Sequence, residues 1–234
     1  MPHPSVRMVL PAVGASLVVL LGGAAPDAAL GAPPAAVVAD VAGADRVVAL
    51  TFDDAWDPSS TRAVFDILQA EAVPATFFPV AVGVERDPAL WRRIAASGDP
   101  IGNHSVDHPD LTALSDEALA AEIADAKRAI EAAIGGPSAP LLRPPFGRLD
   151  DRVRHVAGAA GYATLVLWNV ASNDWAEPDP TLVASRSLAG GAGSIVLLHA
   201  GPASTIAALP TIIAGYRARG FAFVTVPELL AAAG

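Results

Sequence analysis

Residues 46–54 read Arg-Val-Val-Ala-Leu-Thr-Phe-Asp-Asp. A run of Val, Val, Ala, Leu, Thr and Phe with no polar alternation predicts a strand buried on both faces, as in a parallel sheet covered by helices. Four more short apolar runs share that character: 75–80 (ATFFPV), 163–167 (ATLVL), 194–198 (SIVLL) and 221–224 (FAFV). Between them lie stretches of helical period. Residues 61–72 put Val64, Ile67 and Leu68 on one face, and residues 115–134 repeat Leu119, Ile123, Ala126, Ile130 and Ala133 at three- and four-residue spacing behind a Ser115 cap. Helices are predicted also over 88–97, 150–160, 180–189 and 202–219. Gly98, Gly161 and Gly220 then fall between a helix and the next strand, where a left-handed cap favours glycine. Repeated βα units predict an α/β fold, either an open doubly wound sheet or a closed barrel. No GxGxxG or P-loop follows the first run, which removes support from nucleotide-binding versions.

The chain has 234 residues, 53% of them hydrophobic and 17% charged, enough for one large domain or at most two small ones and too apolar for disorder throughout. It has no cysteine, so disulfides, thiolate metal sites and cysteine nucleophiles are excluded. The net charge of −9 has the wrong sign for a nucleic-acid partner. Arg7 precedes a nearly unbroken apolar run over 8–21, and Gly22-Gly23-Ala24-Ala25 supplies the small residues of a signal-peptide cleavage region. The run falls short of the roughly 20 residues that span a bilayer, so no stable membrane anchor is expected. The expected organisation is a signal peptide and the start of a linker over 1–32, an Ala/Pro-rich linker over 33–44 and a globular domain over 45–234, secreted or associated with the cell envelope. Oligomeric state is not legible.

In either architecture functional side chains gather where strands end and βα loops begin. Asp53 and Asp54 leave the first strand as adjacent carboxylates, costly unless a cation or hydrogen bonds compensate them. A helix cap needs only one Asp, and Asp57 is available for it. His104-Ser105-Val106-Asp107-His108 sets two histidines four apart, and two imidazoles with one carboxylate complete a metal triad with open positions. Arg143-Pro144-Pro145-Phe146-Gly147 reads by itself as a stiff structural turn. In 168–175 (WNVASNDW) core packing accounts for Trp168, while Trp175 in a polar loop suggests a stacking wall for a sugar or another flat ligand. His199, after the apolar run 194–198, reads alone as a satisfied core histidine.

Together these five segments resemble the polysaccharide deacetylase (NodB-like carbohydrate esterase) family. TFDD, HSxxHP, RPPFG, a near-match to DxxDW, and LLH stand in the family's order across about 46–230, and VPATFF, IGNH and FVTVPELL agree with it. The resemblance implies a distorted, incomplete (β/α) barrel. It implies a hydrolase of carbon–nitrogen bonds other than peptide bonds, removing N-acetyl (or O-acetyl) groups from a carbohydrate polymer such as peptidoglycan or a chitin-like glycan. It makes Asp53 the catalytic base, His199 the general acid and Arg143 the residue that orients Asp53. Asp54, His104 and His108 become ligands of one divalent metal ion, zinc by default. The Phe146 backbone N–H would hold the oxyanion, Leu197 would meet the acetyl methyl, and Asp174, Trp175 and Trp56 join the substrate-binding residues. The chain departs from the family at Ala171, where Asp is usual, at Ala55-Trp56, where Gly-Pro is usual, and at Phe146, where Tyr is commoner. A carboxylate lost at 171 would weaken the tuning of His199 or Arg143 unless Asp174 serves instead. Three other readings stay open: a non-haem iron oxygenase, which shares the 2-His-1-carboxylate set; a non-catalytic carbohydrate-binding protein of the same fold; and a deacylase of a non-carbohydrate amide or of acetyl esters.

Overall fold

The structure, a computed structural model, describes residues 32–232, so the predicted leader lies outside the described residues apart from its last position. In chain order the elements are β1 (Ala36–Val38), β2 (Val47–Asp54), α1 (Pro58–Ala70), β3 (Thr76–Pro79), α2 (Ala81–Val84), α3 (Pro88–Ala96), α4 (Asp116–Ile134), β4 (Leu141–Leu142), α5 (Asp151–Ala159), β5 (Thr164–Val166), β6 (Val170–Ala171), α6 (Pro180–Ser187), β7 (Ser194–His199), α7 (Ala203–Ala218), β8 (Ala222–Phe223) and α8 (Val226–Ala231). Among the described residues no helix is long and apolar enough to cross a membrane.

Every ladder is parallel. One sheet runs β1-β5-β4 and the other β3-β2-β7-β6, with β8 also on β2. Single bridges from Phe77 to Ile101 and from Asn103 to Leu142 join β3 to β4, and the chain itself passes from β5 in one sheet to β6 in the other. The two sheets curl toward each other as an incomplete barrel without a continuous closing ladder. Gly98, Gly161 and Gly220 do take the left-handed conformation at their helix ends, with φ of 92°, 89° and 78°.

Helix starts follow local chemistry. Asp57, Asp87 and Asp179 each accept backbone N–H bonds ahead of a proline in the first turn, whose missing N–H would have been unpaired anyway. Asp57 is thus the cap of α1, so neither Asp53 nor Asp54 is needed for capping.

Side chains alternate across each strand. Val48, Leu50 and Phe52 of β2, with Val196 and Leu198 of β7, pack outward against Val64, Leu68, Leu209 and Ile212 of the flanking helices. Ala49 and Ile195 point into the barrel with Phe78, Leu141, Val166 and Val226. By the same alternation Thr51 and Asp53 share the interior face with Leu197 and His199.

The linker expected over 33–44 is instead part of the domain. β1 pairs with β5, the Ala35 N–H donates to the Arg154 carbonyl while its own carbonyl accepts from the Arg154 side-chain Nε, and Ala35, Val41 and Ala44 are buried. A three-residue strand among alanines and prolines is too short to show a period, which is why composition alone read it as a tether.

Candidate active site

β2 and β7 set the site. Their register pairs Asp53 directly with His199, as Thr51 pairs with Leu197. Adjacent strands lie about 4.8 Å apart, so the two titratable side chains leave neighbouring strands on the same face. Arg143, at the exit of β4, is fully buried and reaches across the barrel. Its Nη1 donates to Asp53 Oδ1 (2.6 Å) and to Thr51 Oγ1 (2.8 Å), while Nε and Nη2 donate to the carbonyls of Val166 and Leu167. The guanidinium stacks on Phe78, 4.3 Å from the ring centroid. Arg143 therefore orients Asp53, which its reading as a turn residue alone had not anticipated. Burial raises the Asp53 carboxyl, and the Arg143 charge and hydrogen bond, with the charges of His199 and His108, oppose that shift without cancelling it.

Asp54, His104 and His108 converge beside this pair, their ligand atoms all within 4.8 Å of one another. Both histidine Nε2 atoms stand 3.6 Å from Asp54 Oδ1. That is too long for hydrogen bonds, and close to the roughly 3.4 Å that separates ligand atoms around a tetrahedral ion with bonds of about 2.1 Å. Asp54 Oδ1 is buried without a hydrogen-bond partner. An orphaned buried carboxylate oxygen is costly unless a cation completes it, so the donor set fits a divalent metal ion. His104 Nδ1 lies 2.7 Å from the Arg143 carbonyl, an acceptor only, so the proton sits on Nδ1 and the Nε2 lone pair faces Asp54. Burial pushes the His104 imidazole down to about 3, against the opposing charge of Asp54, which keeps it neutral as a ligand must be.

The loops that carry the site are held in a backbone shape that few side chains adopt. Asp54, Ala55, Ser105, His108 and Phe146 all have φ between 60° and 73°. Such conformations persist only where the surroundings impose them. Ser105 Oγ accepts the His108 N–H, Asn103 Oδ1 accepts the Ser105 N–H, and Glu122 of α4 accepts the Val106 N–H. Ala55 occupies a left-handed position that glycine, the family's usual residue there, takes at no steric cost.

His199 faces the cavity from the other side. Its Nδ1 and its backbone N–H both meet Asp174, each at 2.7 Å, through Oδ1 and Oδ2 respectively. Burial alone would lower the His199 imidazole, but the hydrogen bond and charge of Asp174, with the charges of Asp53 and Asp54, outweigh it and the net shift is upward. Asp174 is fully buried beneath the histidine and does not line the cavity. Asp174, expected among the substrate-binding residues, instead lies outside the cavity lining and bonds to His199.

The cavity has a volume of about 380 Å³. Asp53, Asp54, His104, His108 and His199 form its polar wall; Phe146, Trp168, Trp175 and Leu197 form its apolar one. Trp175 is 69% and Phe146 58% exposed, free to meet a ligand. Trp56 does not line the cavity, and its backbone carbonyl accepts from Arg86. Trp168 lines the cavity as well as packing on the core. A larger groove between α6 and α7, about 500 Å³, carries no titratable side chain.

The model of the polysaccharide deacetylase family matches residues 40–165, more than half of the chain. The chain belongs to the polysaccharide deacetylase family. A peptidoglycan-N-acetylglucosamine deacetylase of Bacillus cereus is 36% identical over 203 residues, covering 85% of this chain and 94% of the relative. A chitooligosaccharide deacetylase of Sinorhizobium fredii is 36% identical over 195 residues, covering 77% and 90%. Among solved structures, a CE4-family pseudoenzyme from Bacillus anthracis superposes with a TM-score of 0.77 at 29% identity, covering 83% of this chain and 69% of that one. In this member of the family Asp53, Arg143, His199 and the Asp54–His104–His108 cluster are brought together on one rim of the barrel. Sequence reading missed the side chains behind them, Thr51, Glu122 and Thr205, because a hydroxyl or a carboxylate on a helix has no spacing that marks it.

Proposed function

We propose that this chain is an exported, zinc-dependent deacetylase that hydrolyses the N-acetyl groups of glucosamine units in a peptidoglycan or chitin-like glycan. The observation that carries the reading is the register pairing of Asp53 with His199, a carboxylate and an imidazole on one face of adjacent strands beside a triad with an orphaned oxygen. Names of the relatives support the substrate class, and the apolar run over 8–21 with the small residues after it supports export through a leader over 1–32. The catalytic unit then starts near Ala35 rather than at residue 45.

Amide hydrolysis needs a water made nucleophilic and an amine leaving with a proton. Asp54, His104 and His108 would hold the metal ion, whose Lewis acidity polarises the acetyl carbonyl and acidifies the attacking water. Asp53 accepts that water's proton. Its Oδ1 is tied to Arg143, so Oδ2 is the free oxygen, and burial makes the carboxylate a stronger base than an exposed one. His199 donates to the departing nitrogen. With Nδ1 held by Asp174, Nε2 carries the transferable proton, and the upward shift keeps the ring protonated closer to neutral pH. Leu197 gives the acetyl methyl an apolar surface, the Phe146 N–H serves the oxyanion, and the exposed rings of Trp175 and Phe146 take sugar faces.

Acetate release from N-acetylated peptidoglycan, chito-oligosaccharides and acetylxylan tests the reading. Release from the N-acetylated glycans is expected. Release from acetylxylan alone would reassign the chain to ester hydrolysis, and release from none would make it a non-catalytic binder.

A further inference from the structure

The Asp174 carboxylate is gripped from a third direction that the reaction scheme does not use. Its Oδ1 accepts from His199 Nδ1 and its Oδ2 from the His199 backbone N–H, and Oδ2 also accepts from the hydroxyl of Thr205. Thr205 lies in the first turn of α7, is fully buried, and does not line the cavity. The neighbouring Ser204 hydroxyl donates to the Asp174 backbone carbonyl at 3.4 Å. Asp174 sits in a turn entered through Asn173 at φ 55°, a left-handed position that asparagine tolerates.

We infer that Thr205 is a positioning residue for the His199 proton donor, acting through the plane of the Asp174 carboxylate. A carboxylate turns about its terminal bond in a broad, two-fold well, and its two contacts to Nδ1 and the backbone N–H both come from His199 itself, so they tie the pair together without fixing it to a second element. The Thr205 hydroxyl ties Oδ2, which the His199 N–H also meets, to helix α7, and two features make it a rigid fixture. A β-branched side chain in a helix has few rotamers, and α7 is anchored by buried Leu209, Ile212 and Ile213. Helix α7 thereby sets the direction in which His199 presents Nε2. A buried hydroxyl opposite a buried carboxylate also removes the cost of an under-satisfied oxygen, so the same contact serves packing; the test must separate the two roles.

The inference rests on His199 being the acid of the proposed reaction. Thr205→Val keeps shape and volume without the hydroxyl, and Thr205→Ser keeps the hydroxyl. Two readouts apply to the full folded protein: kcat and KM for acetate release from a chito-oligosaccharide, and the low-field Nδ1 proton resonance of His199. In Thr205→Val, kcat is expected to fall about tenfold with KM within about twofold, a fraction of the 10²–10⁴ that a general acid supplies. The resonance should move upfield or broaden, and Thr205→Ser should restore both readouts. A folded Thr205→Val with wild-type kcat and an unmoved resonance overturns the inference, as does a loss in Thr205→Ser equal to that in Thr205→Val. Should valine prevent folding, Thr205→Ala carries the same expectations. If the wild-type protein releases no acetate, the proposed reaction fails, and the resonance alone still decides whether Thr205 orients the pair.

Discussion

At the scale of single residues the arrangement separates three carboxylates by their surroundings. Asp53 is ion-paired and buried, Asp54 keeps an oxygen without a partner, and Asp174 is spent on His199. Asp53→Asn is therefore expected to abolish turnover while metal content stays near one ion per chain, whereas His104→Ala loses both; metal analysis beside an acetate assay checks this. The same Asp53→Asn leaves the buried Arg143 charge uncompensated and should cost about 3 kcal/mol in a denaturant titration. The pH profile follows from the signs. Asp53 must be ionised and its carboxyl is raised, so the acid limb sits higher than for an exposed Asp. His199 must be protonated and is raised, so the alkaline limb also sits higher than for a free imidazole. Asp174→Asn should bring the alkaline limb down and reduce kcat/KM at neutral pH by roughly 10²-fold, within the range of general-acid catalysis. Ala171→Asp should leave the profile unmoved, because Asp174 already holds Nδ1 at 2.7 Å. A limb that shifts in Ala171→Asp and stays in Asp174→Asn would reverse the assignment. The motif residues were legible because acids and histidines at strand exits are chemically conspicuous. Arg143 was not legible on its own residues, since nothing local tells a turn arginine from one that crosses a barrel to a carboxylate.

Among the elements, the long strands and the short β5 and β8 were legible, while β1, β4 and β6 were not. β2 and β7 are buried on both faces and show as unbroken apolar runs, and most helices were placed within a few residues. β1, β4 and β6 have two or three residues each, and their pairing depends on partners far away in sequence. β1 provides the test. Gly158 in α5 has no side chain because a Cβ there would lie 2.2 Å from the Pro33 carbonyl. Gly158→Ala is expected to displace the segment leading into β1 and to cost about 1–3 kcal/mol in chemical denaturation. Deleting residues 1–44 should cost at least as much, and the two changes together should be less than additive, since both remove the same docking. Full additivity, or a deletion without effect, would return residues 33–44 to the status of a linker.

For the whole molecule, an incomplete parallel barrel explains why these residues meet. It brings the exits of β2, β4, β7 and the Ile101–Asn103 bridge segment to one rim, and α8 fills the opposite end with Val226 and Leu229. The βα alternation by itself did not decide between an open sheet and a closed barrel, because two sheets joined by isolated bridges leave no trace in local sequence; the incomplete barrel that is found was implied by the family resemblance. Export belongs to this scale too. Expressed at full length in a bacterial host, the protein is expected outside the cytoplasm, shortened by about 22–32 residues if residues 1–32 act as the proposed leader, as intact mass would report. The most direct test of the account is acetate release from an N-acetylated chito-oligosaccharide by protein stripped of metal and then given zinc, with Asp53→Asn alongside. Release should fall to background on stripping, return as about one zinc per chain is restored, and stay absent in the variant. Undiminished release from the stripped protein, or wild-type release by Asp53→Asn, would contradict it.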